Sequence, residues 1–445
     1  MSPRPHEMFS AALWNAYCRH QGMNKWWSDL ETFQVISPDF ARAELGKRLL
    51  GQIRYFGTRD DALPEWREAA KVRNPDELWR IWPDLPILSK KDLQERFLPH
   101  EISRRFGVKG IITSTGGSTG EPTWFLHDAN MQQAGKATNV YCRSKVGWRP
   151  GLPTIIVWGS ERDIGKQQAL SRRVLLRLAN FLLIDAYELT SATVDKVLEL
   201  VRKYPAVAIY GFSSMLEFIA RETLARGDLP LPGRVVAAWN GGEMLYESQC
   251  ECFRNAFGIP ILNYYGAREL SSMAYQPTVG SPLVVLRPLL FLEIVDEKGK
   301  PVGPGESGRL IWTNTACRGT PFLRFDVGDV GSYDSADCDE SGIRAIKQLQ
   351  GRFAGLLKLP NGKTINCIFW NHILKDYPDV AQFQIVLQGD RKILFRLKGT
   401  PFSPEKDREL RQRLRILLDD VPVSISWVEK IPLTPQGKLV QVVRE

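Results

Sequence analysis

From about residue 105 onward, short apolar runs alternate with stretches in which apolar residues return every three or four positions. The run "TIIVWGS" (154–160) predicts a buried strand. In "SATVDKVLELVRKY", Val194, Val197, Leu198 and Val201 fall at i, i+3, i+4 and i+7, a single stripe along a helix. The pattern then predicts a strand at "AVAIYG", a helix at "SSMLEFIARETLA", a strand at "RVVAAWNGG", a helix at "YESQCECFRNAF" and a strand at "PILNYYGA". Such alternation implies a largely parallel α/β sheet. Ligands of these sheets sit outside the carboxyl ends of the strands, where the loops "TSTGGSTGEP", "WGSERD", "NGGE" and "YYGARE" would converge.

After about residue 280 the texture changes. "PLLFLEIVDEKGKPVGPGESGRLIWTN" reads as strands broken by turns, so a β-rich section is expected against one side of the sheet. Beyond "GRFAG" (351–355) come a hairpin "FQIVLQGDRKILFRL", a helix opened by Ser403 and Pro404, and a strand "VSISWVE". The expected fold is therefore α/β. A large N-terminal domain over 1–350 has mainly parallel sheets and the β-rich section, and a small α+β domain covers 351–445. The first hundred residues read as a helical lead-in of low specificity. There is no internal repeat or low-complexity tract.

Composition narrows the function classes. Of 445 residues, 43% are hydrophobic and 24% charged, the balance of an ordinary globular chain. The net charge of +9 suits polyanions, but Lys and Arg are interspersed with acids, as in "EKDRELRQRLR", which disfavours a nucleic-acid role. Seven cysteines lack regular spacing, and Cys250 and Cys252 form CxC rather than a paired zinc signature, so a reducing cytoplasm is the expected location. The start lacks an apolar signal core, and no transmembrane helix is expected. Nothing in the pattern specifies an oligomeric state.

Candidate chemistry begins at "TSTGGSTGEPTW" (113–124). Glycines let backbone N–H groups approach a ligand closely, and the hydroxyls add donors, which suits an anion with many oxygens. It is neither GxxxxGK followed by Ser or Thr, since Glu121 and Pro122 follow Gly120, nor GxGxxG, since Thr115 takes the first glycine's place. Alone it reads equally as a phosphate loop or a surface turn. Four later stretches carry further candidates: "NYYGAREL" with Glu269, "LRFDVGDVG" with Asp329, "GRFAGLLKLPNG" with Arg352 and "IPLTPQGKL" with Lys438. Singly, each has a plain reading as a solvated loop residue or surface pair.

In this order and spacing, the five stretches resemble the motif series of the adenylate-forming superfamily, which includes acyl-CoA ligases, adenylation domains and luciferase. The short N-terminus, the "GEP" ending and the length resemble its phenylacetate-CoA ligase branch. "WGSERD" and "YGARE" are similar to the relatives encoded with capsule and polysaccharide genes. The resemblance runs from about residue 105 to the end. It implies ATP-dependent activation of a small-molecule carboxylic acid through an acyl-adenylate, with CoA as the expected acceptor. By the same resemblance Ser114, Thr115, Gly116, Gly117, Ser118, Thr119 and Gly120 hold the β- and γ-phosphates, and Glu269 ligates Mg²⁺. Tyr265 packs on the adenine, Gly242 gives the base close backbone approach, Asp329 accepts from the ribose hydroxyls and Arg352 supports ribose or phosphate. Lys438 bridges the carboxylate and the α-phosphate.

Two other outcomes stand beside CoA ligation. The acyl group passes to an amine, hydroxyl or carrier protein, or AMP passes to a cofactor; or the chain binds nucleotide without catalysis. Superfamily membership also implies a mobile small domain, but Ala354 stands where many members have a hinge Asp or Lys. The turn "PNG" (360–362) after Lys358 reads either as a pantetheine tunnel wall or as a surface turn. His127 is expected to line the loop or pocket rather than act as a base. Trp158, Tyr210, Phe212 and Trp239 could wall the acid pocket, with Trp239 better read as core.

Overall fold

Proline at the first turn starts much of the N-terminal region. It opens helices α3 (Pro38–Gly57), α4 (Pro64–Ala69), α5 (Pro75–Ile81) and α7 (Pro99–Phe106), where its fixed φ suits the helix and its missing N–H costs no bond. With α1 (Pro5–His20), α2 (Met23–Phe33) and α6 (Lys90–Glu95), they confirm a helical lead-in. The computed structural model describes residues 5–20, 22–115, 123–158, 174, 176–186, 190–352, 357–358, 364–365, 374, 377, 379–388, 392–418, 421–432, 439 and 442–444.

The lead-in is more than a preface. Leu30, Leu45, Ile53 and Trp66 are buried in the same core as Phe125, Leu290 and Trp312. A buried ion pair ties it down. Arg324 lies with its Nη2 3.0 Å from Glu293 Oε1 and donates from Nε to Oε2 at 3.1 Å, while Trp82 Nε1 donates to the same Oε2 at 2.9 Å. Arg324 also donates to the carbonyls of Pro83 and Leu85. Burial pushes the Glu293 carboxyl upward in pKa, and the Arg324 charge and the bonds from Trp82 and Arg324 oppose the shift.

The predicted alternation is present. Strands β3 (Thr154–Trp158), β4 (Phe181–Asp185), β5 (Val207–Gly211) and β6 (Val235–Asn240) form a parallel sheet in the order β4-β3-β5-β6. One face is covered by α9 (Ser191–Lys203), α10 (Ser213–Ala225) and α11 (Glu247–Phe257), and the stripe Val194, Val197, Leu198 and Val201 is buried there. The other face meets α8 (Ala129–Lys145) and the main core. Ahead of this sheet, β1 (Gly110–Ser114) and β2 (Trp124–Asp128) pair as an antiparallel hairpin.

The "PILNYYGA" stretch departs from expectation. It pairs with the parallel sheet at an isolated parallel Trp239–Leu262 bridge, and β7 (Tyr264–Ala267) then pairs antiparallel with β8 (Ser271–Tyr275). The reason is the short turn at 268–270, which folds the chain straight back on itself and satisfies the β7 backbone locally. A sheet containing β8 and β9 (Leu283–Val285), and another in which β10 (Leu290–Val295), β11 (Gly308–Asn314), β12 (Phe325–Ser332) and β13 (Gln348–Arg352) follow one another, form the β-rich section.

The C-terminal part has its own core. β14 (Val380–Gln388) and β15 (Lys392–Gly399) form the predicted hairpin, β16 (Val423–Trp427) and β17 (Val442–Arg444) pair parallel to them, and α12 (Pro404–Leu417) is capped by Ser403. Ile385, Phe395, Leu397, Leu410 and Leu414 are buried together here, apart from the other two cores.

Removing one partner of the buried pair leaves an uncompensated charge. Glu293→Ala or Arg324→Ala should each cost about 3–5 kcal/mol, and replacing both with apolar residues should cost clearly less. Denaturant unfolding of the three variants checks this.

Candidate active site

The hairpin fixes the two ends of the glycine loop. Thr115 N–H donates to the Thr123 carbonyl at 2.9 Å, and Thr123 N–H donates to Thr115 Oγ1 at 3.0 Å. Ser114 and Thr115 are thus held, largely buried, at the mouth of the loop. Gly116, Gly117, Ser118, Thr119 and Gly120 lie outside the described residues, as does Lys438. Below the loop, Asp128 Oδ1 caps α8 through Asn130 and Met131 N–H at 3.0 and 3.3 Å, and Oδ2 accepts from Arg318 and Gly319 N–H at 2.6 and 2.9 Å.

Glu269 sits in the turn between β7 and β8 and is only 4% exposed. Its carboxylate meets Lys90 Nζ at 3.3 Å, and its backbone carbonyl lies 3.0 Å from His127 Nε2. A carbonyl only accepts, so Nε2 carries the proton. The loop strand β2 and the predicted metal ligand are therefore joined directly. On the same turn Arg268 Nη1 reaches the Ser114 carbonyl at 3.5 Å.

The "NGGE" loop is pinned from several sides. Asn240 Oδ1 accepts from Tyr264 N–H at 2.9 Å, and its Nδ2 donates to Ser213 Oγ at 3.0 Å and to the Glu243 carbonyl at 2.9 Å. Glu243 Oε2 accepts from Ser214 N–H at 2.9 Å at the start of α10. Gly242 has φ of 75°, a left-handed geometry that favours glycine, and a Cβ on Gly241 would lie 2.5 Å from the Tyr210 hydroxyl. Glu243 Oε1 also accepts from Leu439 N–H at 3.4 Å, so the residue that follows Lys438 reaches this loop.

Two further predicted residues meet by a side-chain bond and a third by strand register. Tyr265 Oη donates to Asp329 Oδ2 at 2.7 Å, and Asp329 stands opposite Arg352 in the β12–β13 pairing. The Arg352 side chain lies outside the described residues. Across the ends of three parallel strands, Trp158, Tyr210 and Trp239 stack with centroids 5.4 and 5.5 Å apart, and Phe212 lies 4.0 Å from Trp158. Trp239 is 1% exposed, which agrees with its core reading.

Sequence reasoning missed Lys90, Arg268 and Glu243. Lys90 is placed by tertiary contact alone. Leu88 N–H donates to the Arg324 carbonyl at 3.0 Å and Asp326 N–H to the Leu88 carbonyl at 2.8 Å, which docks this segment on β12. Ser89 then starts α6 in a capping box with Asp92, and Lys90 follows. Among the described residues, no three His, Cys, Asp or Glu side chains gather as a metal cage. A single buried carboxylate is still a donor that suits Mg²⁺, which binds one or two carboxylates together with substrate phosphates.

Residues 178–316 match the AMP-binding enzyme family. That stretch is an AMP-binding enzyme family domain. The chain is 22% identical over 391 residues to phenylacetate-coenzyme A ligase of Thermus thermophilus, covering 80% of this chain and 83% of that protein. It is 24% identical over 247 residues to naringenin synthase of Pestalotiopsis fici, covering 50% of this chain but only 9% of that much longer protein. Among solved structures, 2-hydroxyisobutyryl-CoA ligase in its postadenylation state superposes with a TM-score of 0.68 at 16% identity, covering 92% of this chain and 90% of the other. The chain thus shares the fold of that ligase, as the motif series implied. Among the described residues no helix is long and apolar enough to cross a membrane.

Burial holds the His127 imidazole below its ordinary pKa, opposed by the bond to the Glu269 carbonyl and by the Asp128 and Glu269 charges. The unfolded chain takes up this proton near pH 6.5 and the folded one resists it, so the resulting destabilisation sets in as pH falls below about 6.5. Thermal unfolding between about pH 7 and 5 should lose less stability in His127→Gln than in the parent; equal slopes would contradict the assignment.

Proposed function

We propose that this adenylate-forming ligase activates a small carboxylic acid with ATP and passes the acyl group to CoA. The observation that supports it most is the junction of the phosphate-loop hairpin with the Glu269 turn through His127, beside the Tyr265–Asp329 bond. A carboxylate resists nucleophiles because of its charge and lacks a leaving group. Its oxygen attacks the α-phosphorus, the bond from that phosphorus to the bridging oxygen breaks, and the electron pair leaves with pyrophosphate. The CoA thiol then attacks the acyl carbon, loses its proton, and AMP departs.

In this reading Ser114 and Thr115, with residues 116–120, cradle the β- and γ-phosphates. Glu269, paired with Lys90 in this structure, would hold Mg²⁺, which would supply neutralisation of phosphate charge. Asp329, oriented by Tyr265, accepts from both ribose hydroxyls, a role suited to an ionised carboxylate. Tyr265 and Gly242 border the adenine, and Arg352, opposite Asp329, supports ribose or phosphate. Lys438 brings its charge to the α-phosphate and the attacking carboxylate; the Leu439–Glu243 bond supports an approach of that segment to the site. Residues 351–445 act as a lid unit that moves between the two half-reactions, and the enzyme works in the cytoplasm.

Carboxylate-dependent exchange of labelled pyrophosphate into ATP, run over a panel of acids, tests adenylation. Lys438→Ala should lower exchange by about 10²–10³-fold while leaving ATP binding nearly intact; normal exchange would remove Lys438 from the mechanism. CoA should accelerate AMP release over candidate amines and hydroxyls. Failure to do so would move the acyl group to another acceptor. Asp329→Asn should raise the KM for ATP, and an unchanged KM would refute the ribose role.

A further inference from the structure

Gly135 stands in the interior of α8, where helix formation by itself favours alanine. A tertiary contact accounts for it. A Cβ at Gly135 would lie 2.4 Å from Ser271 Oγ and 3.1 Å from Ser271 Cβ, so the helix approaches the start of β8 this closely only because the side chain is absent. Ser271 is confined from a second side as well. A Cβ at Gly266 on β7 would lie 2.6 Å from the Ser271 carbonyl oxygen. Between these two glycines Ser271 adopts φ of 65°, a left-handed conformation that a serine rarely takes and that persists only where the surroundings impose it.

Ser271 is the first residue of β8 and follows the turn that carries Glu269, in which Leu270 N–H donates to the Ala267 carbonyl at 3.2 Å. A residue held in this conformation two positions after Glu269 fixes the path by which the turn rejoins the sheet. The same helix holds the turn's other neighbour. Gln132, three residues before Gly135 and so on the same side of α8, donates from Nε2 to the His127 carbonyl at 2.8 Å, and His127 Nε2 donates to the Glu269 carbonyl at 3.0 Å. Four residues after Gly135, Asn139 Oδ1 accepts from Tyr264 Oη at 3.0 Å, which ties α8 to β7. One side of one helix therefore fixes both Ser271 and His127, and the Glu269 turn is tied to both.

We propose that Gly135 is a positioning residue for the reaction: by leaving room for Ser271 against α8, it sets the place of the Glu269 carboxylate and hence its fitness to hold Mg²⁺ with ATP. The inference rests on the reading of Glu269 as the metal ligand. Mg²⁺ demands near-ideal geometry, so a displaced carboxylate binds it poorly. A methyl group added at 135 pushes Ser271, and with it the turn, away from α8. Removing the Ser271 side chain makes room for that methyl and leaves a glycine, which takes the same φ freely.

The test compares the parent with Gly135→Ala, Ser271→Gly and the double variant in the whole chain. Titration calorimetry measures ATP binding with Mg²⁺ and with the metal chelated, and NMR follows the His127 ring N–H that donates to the Glu269 carbonyl. Gly135→Ala should cut the gain in ATP affinity that Mg²⁺ brings by about 10- to 100-fold, change metal-free ATP binding by less than about twofold, and shift the His127 signal. Ser271→Gly should cost less alone, and the double variant should recover most of the Mg²⁺ gain and the parental His127 signal. If Gly135→Ala alone fails to fold, the double variant decides: recovery supports the contact, and a double variant that stays unfolded or defective overturns it. An unchanged Mg²⁺ gain in Gly135→Ala, or equal loss of ATP binding with and without the metal, would also overturn it. If the parent shows no acid-dependent exchange, yet Gly135→Ala loses the Mg²⁺ gain and the double variant regains it, the positioning role stands and the adenylation reading falls. Exchange in the parent with an unchanged Mg²⁺ gain in Gly135→Ala has the opposite meaning.

Discussion

A carboxylate taken out of water must be paired, and the pairing of Glu269 organises the site. Lys90 from the helical lead-in meets its charge, and His127 from the loop hairpin meets its carbonyl. Three segments separated by long stretches of chain converge on one short turn. Each is held by its own support: Asp92 and Ser89 start the lysine's helix, Asp128 locks the base of the hairpin, and β7 and β8 close the turn. These contacts hold the Glu269 turn, the loop hairpin and the start of α6 against one another.

The helical lead-in has a second hold on the site through the buried Glu293–Arg324 pair. Arg324 binds the carbonyls of Pro83 and Leu85, and its own backbone carbonyl accepts from Leu88. A buried ion pair of this kind gains little net stability over an apolar substitute, but it is intolerant of misplacement because each partner is costly alone. It fixes the path of residues 82–90 against β12. That path delivers Lys90 to Glu269 at one end of β12's surroundings, while Asp329 on the same strand meets Tyr265.

Much of the scaffold was legible in the chain. The stripe Val194, Val197, Leu198 and Val201 is buried as its spacing requires, and the parallel strands, the hairpin after residue 380 and the Ser403–Pro404 helix start all follow local rules. The strand expected at "PILNYYGA" is present, bridging the parallel sheet at Leu262 and then pairing antiparallel with β8. Periodicity specifies an extended segment with an apolar face, but pairing depends on which neighbour arrives with open backbone groups. At Tyr264–Ala267 that neighbour is β8, brought back by a tight turn.

The chain by itself determined the order of the motifs, and with it the resemblance that marks Tyr265, Glu269 and Asp329 as candidate site residues to examine together. Gly242 adopts a φ of 75°, a backbone conformation that favours glycine. Only the tertiary structure decided that Lys90 faces Glu269, that His127 is a link to a carbonyl rather than a base, and that Arg268 reaches Ser114. The physical reason is range. Turn chemistry, helix caps and hydrophobic period act over a few residues and leave a mark in composition, whereas an ion pair between residues 90 and 269 leaves none until burial forces the two charges together.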